Sequence, residues 1–146
     1  MYMNTLTELI PVLQLAIGPV VLISGVGLLL LSMTNRLGRV IDRTRSLKHD
    51  YEQADSHHKV SLLEQIKIVR YRSHLIRTAI LFAAISILCV TALIFVIFMF
   101  AMLNINAALP IVVLFSGSML ALIISLVYFL RDMYKALAAV EIDIKN

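Results

Sequence analysis

Charge is scarce in this chain and, over long stretches, missing. Lys, Arg, Asp and Glu make up 15% of its 146 residues, where a soluble domain carries roughly a quarter. None of the four occurs from Leu9 to Asn35, and none from Thr78 to Leu130. A bilayer core requires about 20 consecutive apolar residues per helix. The first gap therefore fits one span and the second fits two. Sixty per cent of the chain is hydrophobic, and its length leaves no room for a second globular domain.

The same gaps restrict the chemistry. Proton relays and ion paths place ionisable groups inside the membrane, and their absence here argues against a proton-coupled transporter. The uncharged polar residues Gln14, Ser24, Ser86, Thr91, Ser116, Ser118 and Ser125 read in two ways. They are pore-lining groups of a channel, or they pack helices and bond to backbone carbonyls. Cysteine is limited to Cys89, inside an apolar run. One thiol builds neither an intrachain disulfide nor a zinc site, so it reads as a small buried or lipid-facing hydrophobe. Gly-x-Ser-x-Gly, His-Glu-x-x-His and a phosphate-binding Gly-rich loop are all missing. The expectation is a protein that is not an enzyme and has no cofactor. A cleaved leader is not expected either. Glu8 is the one charge before the first apolar run, and the basic cluster follows that run.

What is present is a basic segment starting where the first apolar run stops. Thr34 to Arg45 reads Thr-Asn-Arg-Leu-Gly-Arg-Val-Ile-Asp-Arg-Thr-Arg, with Asp42 as its single acid. Ten of the thirteen Lys and Arg lie between Arg36 and Arg77, and Arg131, Lys135 and Lys145 follow the last apolar run. Basic residues stay on the cytoplasmic side of a membrane. An outside N-terminus and a cytoplasmic C-terminus put all thirteen inside. These cations sit beside spans with no module that reads bases, so no nucleic acid is expected.

The expected fold is all-α and integral to the membrane, with spans at about 9–33, 78–103 and 109–130. A cytoplasmic antiparallel helical hairpin fills about 34–77 and a cytoplasmic tail 131–146. The hairpin rests on two seams. Leu37, Val40, Thr44, Leu47 and Tyr51 repeat at heptad-like spacing, as do Leu62, Ile66, Val69, Ser73, Ile76 and Ile80. The polar residues 50–58 supply the turn, with Asp55 or Ser56 to cap the next helix. Each arm would extend roughly 25 to 30 Å at 1.5 Å per residue. Asn104 to Asn106 reads as the outer turn and Pro110 as the start of the third span.

Within the first span, Pro19 cannot donate to the carbonyl of Leu15. A bend is expected there, read as an ordinary kink or as a gating hinge. Gly18, Gly25 and Ser32 share one face, and Gly117, Ala121 and Ser125 another, as small residues do where helices associate in lipid. His49, His57 and His58 stand near Asp50, Glu52 and Asp55 at the hairpin tip. They read as a solvated tip, or as a metal or pH-sensing site. Arg36, Arg39 and Arg43 set topology and meet anionic head groups at the cytoplasmic leaflet, at about 1 kcal/mol each near the surface. The alternative is a specific stripe that contacts a partner, a lipid head group or the acidic tail of a neighbouring subunit.

The Thr34 to Arg45 segment, entered from Gly18-Pro-Val-Val-Leu-Ile-Ser-Gly25-Val-Gly27, resembles the signature of a bacterial membrane family catalogued as domain of unknown function 2721. The resemblance covers nearly the whole chain and implies a three-span protein. It marks Pro19, Gly25, Asn35, Arg36, Arg39, Asp42 and Arg43 as characteristic residues, and it implies no activity. By topology alone the layout is also similar to three-span stator subunits of the ExbB and TolQ type. The functional expectation is a self-associating, non-enzymatic protein of the bacterial inner membrane, a homo-oligomer that meets anionic lipids and a partner at the hairpin. The alternative is an oligomeric ion channel or a stator-like subunit of a membrane complex.

Overall fold

Apolar residues at helical period, with few glycines and prolines to interrupt them, dictate three long helices. The computed structural model describes the backbone of residues 3–103 and 108–144, and side chains from 10 to 136 apart from 12, 15, 56, 57 and 104–107. Helix α1 spans Met3–Gln53, α2 Ser56–Leu103 and α3 Ala108–Ile144. All three are long and apolar enough to cross a membrane. The proposed outer turn at Asn104 to Asn106 lies outside the described residues.

α1 is unbroken through Pro11 and Pro19. Its end at Gln53 makes the following turn much narrower than the expected 50–58, leaving Ala54 and Asp55 alone outside the helices. Glu52 and Gln53 are good helix formers, and Gln53 Nε2 lies 3.1 Å from His49 Nε2 one turn back. The Asp55 carbonyl accepts from the backbone N–H groups of His58 at 3.0 Å and Lys59 at 3.2 Å. That puts Asp55 at the N-cap position of α2. α3 runs past the expected end near Leu130 to Ile144, so most of the tail is helix.

Each helix contributes to two compact units. The first comprises Met1–Leu30 and Phe82–Ile123. Its buried residues are Ala16 and Val26 of α1, Ala83, Ser86, Val90, Leu93 and Ile97 of α2, and Ser118 and Ala121 of α3. Spacings of three and four along α2 define a single inward stripe. Leu28, Leu88, Phe95, Val112 and Leu120 are exposed, an apolar exterior suited to lipid. Ser86 Oγ donates to the Ser118 carbonyl at 2.9 Å, tying α2 to α3. Ser118 Oγ donates to the Phe115 carbonyl on its own helix at 2.7 Å.

The second unit comprises Leu31–Leu81 and Ile124–Asn146. It buries Met33, Val40 and Leu47 of α1, Leu75, Ile76 and Ala79 of α2, and Ser125 and Asp132 of α3. Ser125 Oγ donates to the Ala79 carbonyl at 2.7 Å. The two expected seams are buried or half-buried throughout, from Leu37 to Tyr51 and from Leu62 to Ile80. Thr44, the polar member of the first, returns its hydroxyl to the Val40 carbonyl at 2.8 Å. Near the turn, the Lys59 ammonium lies 5.8 Å from the centre of the Tyr51 ring.

The small-residue faces differ in outcome. Ala121 and Ser125 are buried, but Gly117 is exposed and Ser118 takes its place on the inward stripe. Gly18, Gly25 and Ser32 are all exposed. A Cβ added at Gly18 or Gly25 meets nothing within 4 Å. α1 turns the bulkier Val26 and Met33 inward instead, because they fill the space between helices that a small residue would leave empty.

Candidate functional site

The chemistry of the second unit centres on one acid. Asp132 has a fully buried side chain. It is the sole Asp or Glu between Glu64 and Glu141. Burying a lone carboxylate is prohibitive, and one that remains ionised inside a protein is paired. Asp132 has two arginine partners, one from each of the other helices. Arg72 of α2 donates its Nε–H to Oδ1 at 3.2 Å. Arg36 of α1 places Nε 3.3 Å from Oδ2 as an ion pair. That second contact joins charges without hydrogen-bond alignment, so Oδ2 keeps an unfilled acceptor. Each arginine side chain is about one-fifth exposed.

Aromatic rings complete the layer. The Arg36 guanidinium lies 5.8 Å from the centre of the Phe129 ring, one turn before Asp132 on α3. Lys135, one turn after Asp132, places its ammonium 3.8 Å from the centre of the Tyr71 ring, next to Arg72 on α2. α3 therefore presents a ring, a carboxylate and an ammonium at i, i+3 and i+6. α1 answers with Arg36 and α2 with the Tyr71-Arg72 pair. Ring–cation contacts contribute about 0.5 to 2 kcal/mol, more as water is excluded. The arrangement is an electrostatic clamp across three helices. The two arginines alone leave one positive charge in excess over the acid, and Lys135 adds a second.

Of the seven residues the family resemblance marks, the structure brings Arg36 alone into this clamp. Arg39 and Arg43 are exposed, because the one acid on this stretch of α3 stands level with Arg36. Asp42 is exposed too, and its nearest cation is Arg45, with 4.0 Å between Oδ1 and Nη1. Asn35 and Gly25 are exposed and Pro19 is half-buried. At the turn, no group of three or more His, Cys, Asp or Glu that could hold a metal occurs among the described residues.

Sequence reasoning missed Asp132 and Arg72, although both left a signal. Ser118, Ser125 and Asp132 recur at intervals of seven, so the acid continues the inward stripe of α3. Arg72 lies four residues before Ile76 and seven before Ala79, on the inward stripe of α2. Five of the seven uncharged polar residues bond to backbone carbonyls. Ser86, Ser118 and Ser125 bond to backbone carbonyls as above. Ser24 and Thr91 return their hydroxyls to Val20 and Ile87 on their own helices.

A chain whose described residues form three apolar helices of spanning length is a membrane protein by its make-up. It belongs to the family described as Protein of unknown function (DUF2721), whose model matches residues 16–142. The matched segment holds the signature residues and every member of the clamp. No curated protein and no solved structure matches the chain.

Proposed function

We propose that this chain is a non-enzymatic, multi-pass protein of the bacterial inner membrane that self-associates and presents a cytoplasmic basic hairpin to anionic lipids or a protein partner. The N-terminus lies outside and the C-terminus inside. The observation that carries this reading is the division of charge between the two compact units. All thirteen Lys and Arg fall in the second unit and none in the first, where Glu8 is the lone charged residue. Retention of basic residues in the cytoplasm then fixes the orientation, and residues 34–77 become a hairpin in the cytoplasm. The Asp132 clamp acts as a structural fastener there, since both arginines are spent on the acid. Self-association is assigned to the exposed Gly18, Gly25 and Ser32 face of α1, whose backbone a second helix can approach closely.

The orientation is tested with cysteines placed singly at Asp55 and Asn106 in a Cys89→Ala background. In intact cells an impermeant thiol reagent labels position 106 and spares position 55. The reverse pattern overturns the orientation. Subunit number in mild detergent tests the rest. A strict monomer removes self-association, and ion flux from proteoliposomes replaces the interaction role with that of a channel.

A further inference from the structure

The second unit holds a groove between α1 and α2 of about 760 Å³, within the range of small-molecule sites. Five cations line it: Arg45 and Lys48 from α1, and Lys67, Arg70 and Arg77 from α2. No Asp or Glu is among the lining residues. Asp42 approaches Arg45 from outside, at 4.0 Å in an exposed pair, which solvent largely screens. Among the described residues, no ion pair engages Lys48, Lys67, Arg70 or Arg77. Like charges gathered round one concavity repel, and a bound anion would remove that repulsion. Ile66 and Tyr71 give the groove an apolar wall. Tyr71 also borders a second concavity of about 270 Å³, where Arg72 and Lys135 add to Lys67. Tyr71 therefore borders two concavities, both lined by cations.

We propose that this groove is a binding site for an anionic phosphate group, with the Arg45, Arg70 and Arg77 guanidinium forks as its donors. Guanidinium forks match phosphate oxygens in pairs, and the two lysines add unoriented positive charge. The groove deepens the proposed lipid contact by assigning it to named residues on two facing helices, rather than to the exposed Arg39 and Arg43. The same chemistry suits a phospholipid head group or a soluble phosphate.

The test uses the full chain in phosphatidylcholine nanodiscs, open on both sides, so its result does not depend on the orientation proposed above. Calorimetric titration with dihexanoyl phosphatidylglycerol and, separately, with inorganic pyrophosphate measures binding to three proteins. These are the wild type, Lys48→Gln with Arg70→Gln, and Arg39→Gln with Arg43→Gln. All four substituted residues are exposed, and unchanged thermal midpoints verify folding. The two doubles lose equal charge, but only the first alters the groove. The expected result is binding weakened about tenfold or more in the groove double, with the other close to wild type. Equal weakening in both overturns the site and leaves diffuse surface attraction. Absence of binding by either probe to the wild type overturns it as well. Binding of phosphatidylglycerol alone assigns the site to a lipid head group, and pyrophosphate that competes with it assigns a soluble phosphate. A failed groove leaves the cysteine-labelling result standing, and an inverted orientation leaves the groove standing.

Discussion

The two compact units use the same helices and the same inward periodicity, yet they are fastened differently. In the first, α2 and α3 are joined by an uncharged hydroxyl, Ser86, bonding to a backbone carbonyl. The second repeats that device with Ser125 and adds a buried acid held by two arginines. Hydroxyl bonds between helices contribute little even in lipid, averaging about 0.6 kcal/mol. Removing one partner of a buried ion pair, by contrast, costs about 3 to 5 kcal/mol, because the remaining charge is stranded. The unit with all the lysines and arginines thus depends on one carboxylate, and the apolar unit depends on packing.

The sharpest way to break this contrast is Asp132→Ala. It strands Arg36 and Arg72, both largely buried, and is expected to cost about 3 to 5 kcal/mol, measured as unfolding in a single mild detergent. A loss no larger than that of Ser86→Ala would abolish the distinction between the units. The next effect separates the two arginines. Arg72 makes an aligned bond to Oδ1 and Arg36 an unaligned contact to Oδ2. Arg72→Gln is expected to cost about 1.5 to 3 kcal/mol, the range for hydrogen bonds to charged groups. Arg36→Gln should cost less. The opposite order would make the Phe129 contact, not the ion pair, the main role of Arg36. Smaller still are Ser86→Ala and Ser125→Ala, each at about 0.6 kcal/mol. Their near equality would show that the hydroxyl device is the same in both units, and a larger loss at Ser125 would couple it to the clamp.

Much of this fold could be read from the chain because its cause is periodic. Seam residues from Leu37 to Tyr51 and from Leu62 to Ile80 lie inward as their spacing requires. Three apolar helices follow from the two uncharged gaps. The clamp was harder to see because its residues are distant in sequence, Arg72 and Asp132 standing 60 positions apart. Charge also draws attention outward. Asp132 follows Arg131 just past an apolar run and looks like the first residue of a solvated tail. Only its place in the Ser118, Ser125, Asp132 series shows that it points inward. The glycine face was only half legible, for another reason: it lies exposed in the single chain. Spacing identifies a shared face without saying which neighbour covers it, and in the single chain Val26 and Met33 outcompete Gly18 and Gly25 for the interior.

Asp42 gives the smallest expected effect and the clearest contrast with Asp132. The family resemblance marks Asp42 and not Asp132, yet the structure buries the second and exposes the first. The Asp42 side chain is 77% exposed and its contact with Arg45 spans 4.0 Å. Exposed pairs of this kind are screened by water and salt. Asp42→Asn should therefore change stability by less than about 0.5 kcal/mol in the detergent-solubilised monomer. The informative comparison is with the self-associated form. If Asp42 serves only its own helix, the substitution is equally silent in both forms. If it meets a basic group on a second copy, subunit number falls while the stability of the monomer holds. Asp42 would then be the interchain counterpart of what Asp132 is within the chain, an acid placed opposite arginine to fix how helices meet.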